Sequence, residues 1–93
     1  MTLMLKDPDA VLDYVIDWGA EYLGDDLLAQ SEWFAAPDEP GGLAVTGSDF
    51  DATTARVKVS GGELGHVYRL VNRVVLGSGR VDDRSITLRV EAR

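Results

Sequence analysis

The 93-residue chain contains no cysteine. This excludes the disulfide bridges that hold together many small extracellular domains, and it excludes zinc sites built on thiolates. Histidine is almost as scarce, because His66 is the only one. Neither a cluster of histidine ligands nor a cysteine–histidine nucleophile pair can be assembled from this composition. We therefore expect no metal site of these kinds and no thiol-based catalysis.

The sequence patterns of common enzymes are also missing. No serine lies in a Gly-x-Ser-x-Gly elbow. The glycine-rich stretches at 61–65 and 77–79 lead into predicted strands, so no helix N-terminus follows them that could bind phosphate. We predict that the chain is not an enzyme and binds no cofactor.

Long apolar runs and positive charge are both rare. Acidic residues at positions 7, 9, 13 and 17 interrupt the apolar residues near the N-terminus, so we predict neither a signal peptide nor a membrane span. The formal net charge is −7, whereas a nucleic-acid surface needs clustered Lys and Arg. We therefore expect neither a membrane nor a nucleic acid among the partners.

The charges are distributed unevenly along the chain. Residues 1–51 contain twelve acidic residues and one basic residue, whereas residues 52–93 contain four acidic and eight basic residues. Two interpretations remain open. Acidic and basic strands can pair with each other inside one domain, or the charge can be segregated on the surface. In the second case, a head-to-tail contact between copies becomes attractive.

Apolar and polar residues alternate with a period of two over much of the chain, which predicts β-strands. The predicted strands lie at residues 10–18, 27–34, 43–45, 52–60, 68–74 and 82–90, with a turn or short helix at 19–26, a loop at 35–42 and a turn at 46–49. We predict one domain over residues 1–93, an all-β, immunoglobulin-like antiparallel β-sandwich of six to seven strands. A small open barrel is the less favoured arrangement.

Four residues are predicted to have structural roles. Tyr68 follows a glycine-containing turn and has apolar residues at every second position behind it, as in the tyrosine corner of immunoglobulin-like sandwiches. Asn72 falls among inward-facing apolar positions, so we expect its side chain to bond to backbone atoms in the core or at its rim. Trp18 and Trp33 are predicted to pack between the sheets, with an aromatic anchor for a partner as the alternative.

Several short motifs together resemble a known family. They are KDPDAVLDYVIDW at 6–18, GDD at 24–26, SEW at 31–33, GL at 42–43, SGG at 60–62, Y-x-L-x-N at 68–72 and GR-x-D-x-RS-x-TL-x-V at 79–90. Over nearly the whole chain, this pattern is similar to the small phage fiber-tail adaptor proteins. The loop at 34–40 departs from it, being longer and more acidic.

The resemblance implies a non-enzymatic structural protein of the virion of a tailed bacteriophage, synthesised in the host cytoplasm. Such a protein would be an adaptor or connector that joins head, tail and fibre components, its partners being other virion proteins and copies of itself in a symmetric ring. Together with the uneven charge, this predicts contacts between acidic turns of one copy and arginines of the next. The residues concerned are Asp25, Asp26, Asp38 and Glu39 on one side and Arg69, Arg73 and Arg89 on the other.

Three other functions stay open at this point. The first is a capsid decoration protein. The second is a calcium-dependent adhesive module of the immunoglobulin type, since acidic pairs occur at 7 and 9, 25 and 26, 49 and 51, and 82 and 83. We interpret these pairs as solvated turn residues and predict that they bind no calcium, because no EF-hand spacing is present. The third is a β-barrel enzyme or carrier that binds a small ligand. A carrier needs an interior cavity, and the chain is short for a closed eight-stranded barrel.

Overall fold

The computed structural model describes residues 2–20 and 24–92. In this part of the chain it contains seven β-strands and one 3₁₀-helix, which confirms the all-β prediction. The strands are β1 Thr2–Lys6, β2 Leu12–Asp17, β3 Leu28–Ala36, β4 Leu43–Phe50, β5 Thr54–Gly61, β6 Val67–Leu76 and β7 Val81–Val90, and the 3₁₀-helix Trp18–Ala20 follows β2. Residues 21–23 of the predicted turn or short helix at 19–26 lie outside the described residues.

The strands form two sheets that pack as a sandwich, as predicted. The large sheet has the order β1-β7-β6-β3, and the small sheet has the order β2-β5-β4. In a constant-type immunoglobulin domain, one sheet has the strand order A-B-E-D and the other has the order C-F-G. The present sheets contain the orders B-E-D, as β2-β5-β4, and C-F-G, as β3-β6-β7. The first strand differs, because it lies beside β7 and not beside β2. The immunoglobulin-like assignment itself stays a prediction. The strand pairs are antiparallel, as predicted, except that β1 runs parallel to β7.

The core lies between the two sheets and consists of alternate residues of the strands. The hairpin of β6 and β7 contributes most of it, and the residues predicted to share its inner face are all buried: Tyr68, Leu70, Asn72, Val74, Ile86, Leu88 and Val90. The small sheet faces them with Val57 and Val59. Period-two alternation is preserved here because a short turn at residues 77–80 joins the two strands without a register shift.

The predicted turn at 46–49 was wrong. These residues lie within β4, where Ser48 pairs with Val57 of β5 and Asp49 pairs with Arg56. The register shifts between Val45 and Gly47, so a bulge absorbs the extra residue instead of ending the strand. Pairing with the neighbouring strand therefore outweighs the local turn propensity of glycine and serine.

A second bulge changes the alternation along β3. The sequence aligns Leu27, Ala29, Ser31 and Trp33 on one side of this strand, but Leu27 and Ala29 are exposed, whereas Leu28 and Trp33 are buried. The register shifts between Leu28 and Gln30, and this reverses the alternation on one side of the bulge. The strand also continues to Ala36, two residues beyond its predicted end.

The first strand was not predicted at all. Its last residue, Lys6, is fully buried, and its ammonium group donates hydrogen bonds to the backbone carbonyls of Asp7 and Gly61. Burial lowers the pKa of Lys6, while the nearby Asp7 and Asp9 act in the opposite direction. A charged residue at an inward position hides the alternation from which a strand is recognised.

Candidate interaction surface

Tyr68 closes a corner at one end of the sandwich. The side chain is fully buried, and its hydroxyl accepts a hydrogen bond from the backbone N–H of Glu63, five residues upstream, at 2.9 Å. The same hydroxyl donates to the carboxylate of Glu39 in the loop between β3 and β4. The corner therefore links two loops, at 37–42 and 62–66, that are distant in sequence.

The carboxylate of Glu39 contacts two side chains, those of Tyr68 and His66. Its carboxylate also lies 2.8 Å from Nδ1 of His66, so one carboxylate oxygen contacts both the corner tyrosine and the histidine. The hydrogen bond from Tyr68, followed by that from His66, lowers the pKa of Glu39. No sequence pattern pointed to this contact, because Glu39 lies 29 residues from Tyr68 in the chain.

Removing the Tyr68 hydroxyl is expected to destabilise the domain. The Tyr68→Phe substitution deletes an acceptor for the Glu63 N–H and a donor to Glu39 while keeping the buried ring. We expect the free energy of unfolding to fall by about 1–2 kcal/mol, measured by denaturant titration. A value near zero would mean that the corner hydrogen bonds contribute nothing to stability.

Glu39 is expected to make part of the stability depend on pH. Because its pKa is lower in the folded state, its contribution is fully present above the ordinary value of 4.5 and is lost as the pH falls through the folded-state pKa. Glu39→Gln should therefore be less stable than the natural chain at pH 7, and the difference should shrink below about pH 4.5. Thermal unfolding of both proteins from pH 3 to pH 7 measures this, and a constant difference would contradict it.

Asn72 connects the core of the large sheet to the 3₁₀-helix. Its side-chain carbonyl accepts a hydrogen bond from the indole Nε1 of Trp18 at 2.8 Å, and its amide nitrogen donates to the Ser31 hydroxyl and the Glu32 carbonyl, both at 2.9 Å. Asn72 and Trp18 are fully buried. Trp33 is also in the core, where its Nε1 has no hydrogen-bond partner among the described residues.

The side of the large sheet that points away from the core carries the three arginines singled out in the sequence. Strand register places Leu5, Arg89 and Val67 in one row and Leu3, Thr87, Arg69 and Ala36 in the next, followed by Ser85, Val71 and Phe34, and then by Asp83, Arg73 and Glu32. We call this surface the arginine face. It combines positive charge with exposed apolar side chains.

The three arginines differ in their surroundings. Arg73 makes two hydrogen bonds to Asp83, at 2.9 and 3.1 Å, and its guanidinium lies 5.8 Å from the centre of the Phe34 ring. These contacts raise the pKa of Arg73 and lower that of Asp83. Arg89 pairs with Glu91 at 2.6 Å. Arg69 is exposed and forms no ion pair within 2–20 and 24–92, although its charge contributes to the lowered pKa of Asp83.

The acidic residues of the predicted interface lie at the two ends of the sandwich. Asp38 and Glu39 are at the end that carries the tyrosine corner, whereas Asp25 and Asp26 are beside the β6–β7 turn. Asp26 accepts hydrogen bonds from the backbone N–H and the hydroxyl of Ser78, and these bonds lower its pKa. Neither acidic group pairs with the three arginines in the described part of one molecule.

The outer surface of the small sheet contains a shallow depression with a volume of about 450 Å³, which is lined by residues of β2, β4 and β5. Arg56 forms ion pairs there with Asp49 at 2.6 Å and Asp51 at 3.2 Å, which joins acidic and basic halves of the sequence within one sheet. Within residues 2–20 and 24–92, no three His, Cys, Asp or Glu side chains come together as metal ligands. No helix in the same residues is long and apolar enough to cross a membrane.

Comparison with known protein families shows which family the chain belongs to. Residues 6–89 match the family described as podophage GP4 fiber-tail adaptor protein gp77. The chain belongs to this family. No curated protein matches it. The match covers β2 to β6 in full and nearly all of β7, so it includes the tyrosine corner and most of the arginine face. The fiber-tail adaptor family is one of phage structural proteins, in agreement with the resemblance found in the sequence.

Proposed function

We propose that this fiber-tail adaptor is a non-enzymatic virion component that joins tail and fibre proteins through the arginine face. The observation that carries the proposal is the composition of that face. Arg69 is exposed and unpaired within the described chain, and Leu3, Phe34 and Val67 are exposed beside the arginines. Interfaces are typically enriched in arginine and apolar side chains at their centres. In a chain of net charge −7, a surface of this kind favours an acidic partner.

We also propose that copies of the adaptor contact one another in a ring. The acidic turns of one copy, at 25–26 or 38–39, would face the arginines of the next copy in a heterologous contact. Each exposed ion pair contributes only about 0–1 kcal/mol, so the apolar side chains or a preformed tail assembly must provide most of the affinity. The isolated protein is therefore expected to be monomeric.

Reversing two charges on the arginine face is expected to prevent assembly. The Arg69→Glu/Arg73→Glu double variant should be incorporated into virions at least about tenfold less than the natural chain, as expected for a loss of only about 1.4 kcal/mol in binding. The measurement is quantitative mass spectrometry of purified particles from a phage that lacks the natural gene and is complemented with the variant. Thermal unfolding shows whether the isolated variant remains folded.

The matched control changes the same amount of charge elsewhere. Arg56 and Lys58 lie on the outer surface of the small sheet, off the arginine face and away from both acidic turns. Arg56 forms an ion pair with Asp49, as Arg73 does with Asp83. The Arg56→Glu/Lys58→Glu variant should be incorporated normally. Equal loss in both variants would indicate a general effect of charge, and normal incorporation of the arginine variant would exclude the face as an interface. Absence of the natural chain from virions would overturn the structural role.

A further inference from the structure

The first strand leaves one edge of the large sheet open. The Lys6 carbonyl accepts a hydrogen bond from the backbone N–H of Glu91 at 2.9 Å, so the backbone groups of Lys6 point toward β7. Because these groups alternate along a strand, those of Leu3 and Leu5 point away from β7. No strand within residues 2–20 and 24–92 pairs with this side of β1.

The other sheet edges carry features that discourage pairing with another chain. β2 has Asp13 and Asp17, while β3 and β4 each contain a bulge. Charges and bulges are the usual protection of edge strands. β1 has neither, and its one charged side chain, Lys6, is turned into the core. The edge of β1 is thus the unprotected one of the four in the described sandwich.

The side chains of β1 add apolar surface to this open edge. Leu3 is 60% exposed and Leu5 is 41% exposed, and both lie on the arginine face. Met4, on the opposite side of the strand, is 37% exposed, because the three-stranded small sheet does not cover it fully. A strand added here would bury apolar atoms on both sides while it satisfies the backbone groups of Leu3 and Leu5.

We propose that the edge of β1 binds an extended segment of another virion protein, which becomes a fifth strand of the large sheet. The segment has apolar residues at alternate positions, which pack against Leu3 and Leu5. It carries a basic residue where it passes the exposed Asp9 in the turn after β1. The inference rests on the proposed function, because it specifies what the partner of the adaptor contributes.

A second copy of this chain fits the edge less well. Pairing of two five-residue strands buries far less than the roughly 1,000 Å² that a stable interface between two proteins needs. A segment of a larger partner avoids this difficulty, since the partner can make further contacts across the adjoining arginine face.

Proline at position 5 tests the edge directly. The Leu5→Pro substitution removes an N–H that points away from β7, so it blocks an added strand while the β1–β7 hydrogen bonds remain, and edge strands tolerate proline in such positions. We expect its incorporation into virions to fall at least about tenfold. As a second variant, Leu3→Lys should also reduce incorporation, whereas Val81→Lys, at a residue 61% exposed but distant from the edge, should not.

Photo-crosslinking identifies the occupant. With a benzophenone amino acid at position 5, irradiation of purified virions should join β1 to a defined segment of a different virion protein, located by mass spectrometry. A crosslink only to β1 of a second copy would overturn the proposal. The proposal would also be overturned if the natural chain is found in virions and both Leu5→Pro and Leu3→Lys are incorporated at the same level as the natural chain. If the natural chain is missing from particles, the proposed function fails and this inference fails with it.

Discussion

Replacing Asn72 with leucine is expected to lower the free energy of unfolding by about 3 kcal/mol, although leucine is similar in size and more apolar. The substitution removes the acceptor of the Trp18 indole N–H and the donor to the Glu32 carbonyl. The bond to Trp18 is buried and the bond to the Glu32 carbonyl is partly buried, so the loss leaves a buried indole N–H, and a partly buried carbonyl, without a partner. For a domain of this size, the melting temperature should fall by roughly 10–20 °C.

A double-mutant cycle separates this loss from simple repacking. Trp18→Phe removes the indole N–H that Asn72 accepts and keeps an aromatic ring in the core. If the hydrogen bond contributes as described, Asn72→Leu should cost less in the Trp18→Phe background than in the natural chain. Equal costs in both backgrounds would show that the Asn72–Trp18 bond has no energetic role. Denaturant titrations of the four proteins provide the measurement.

Replacing Gly62 with alanine is expected to destabilise the domain by about 3 kcal/mol for two additive reasons. Gly62 has a φ of 105°, which L-amino acids rarely adopt. A Cβ atom there would also lie 2.6 Å from a methyl carbon of Val90, which is buried in the core, and 3.5 Å from the Tyr68 ring. The alanine variant must either move Val90 or distort the turn that positions the corner.

Gly65 provides a matched control in the same loop. It has a φ of 83°, but a Cβ atom at this position would meet no heavy atom within 4 Å. Gly65→Ala should therefore show the cost of the backbone conformation alone, about 1–2 kcal/mol. A Gly62→Ala variant that unfolds at the same denaturant concentration as Gly65→Ala would show that the Val90 contact costs nothing.

The large hairpin and its tyrosine corner could be predicted because the signals are local. The alternation from Tyr68 to Val74 is unbroken, and the hydrogen bond from Glu63 to Tyr68 spans only five residues. The two bulges were missed, since one extra residue in a strand reverses the alternation without any distinctive sequence. The bulge in β3 accounts for the exposure of Leu27 and Ala29, which simple alternation places on the same side as the buried Trp33.

The remaining features depend on contacts distant in sequence. The pairing of β1 with β7 joins residues more than eighty positions apart, and no short-range sequence pattern predicts it. The contact between Glu39 and the corner depends on how the loop at 37–42 folds back, so the sequence suggested only an exposed acid. The sequence indicated Arg69, Arg73 and Arg89 as contact residues. It could not indicate that Arg73 and Arg89 form ion pairs in the same molecule, whereas Arg69 forms none within residues 2–20 and 24–92.

The parallel alignment of β1 and β7 has a mechanical consequence. Thr2 pairs with Ile86 and Lys6 pairs with Val90, so the two terminal strands lie side by side and point the same way. A force that pulls residue 2 away from residue 90 acts along the strands, across the direction of their hydrogen bonds. All the bonds of the ladder must then stretch and break together, whereas strands peeled apart from one end lose theirs singly. A domain loaded in this way resists extension more strongly than one whose terminal strands are peeled apart.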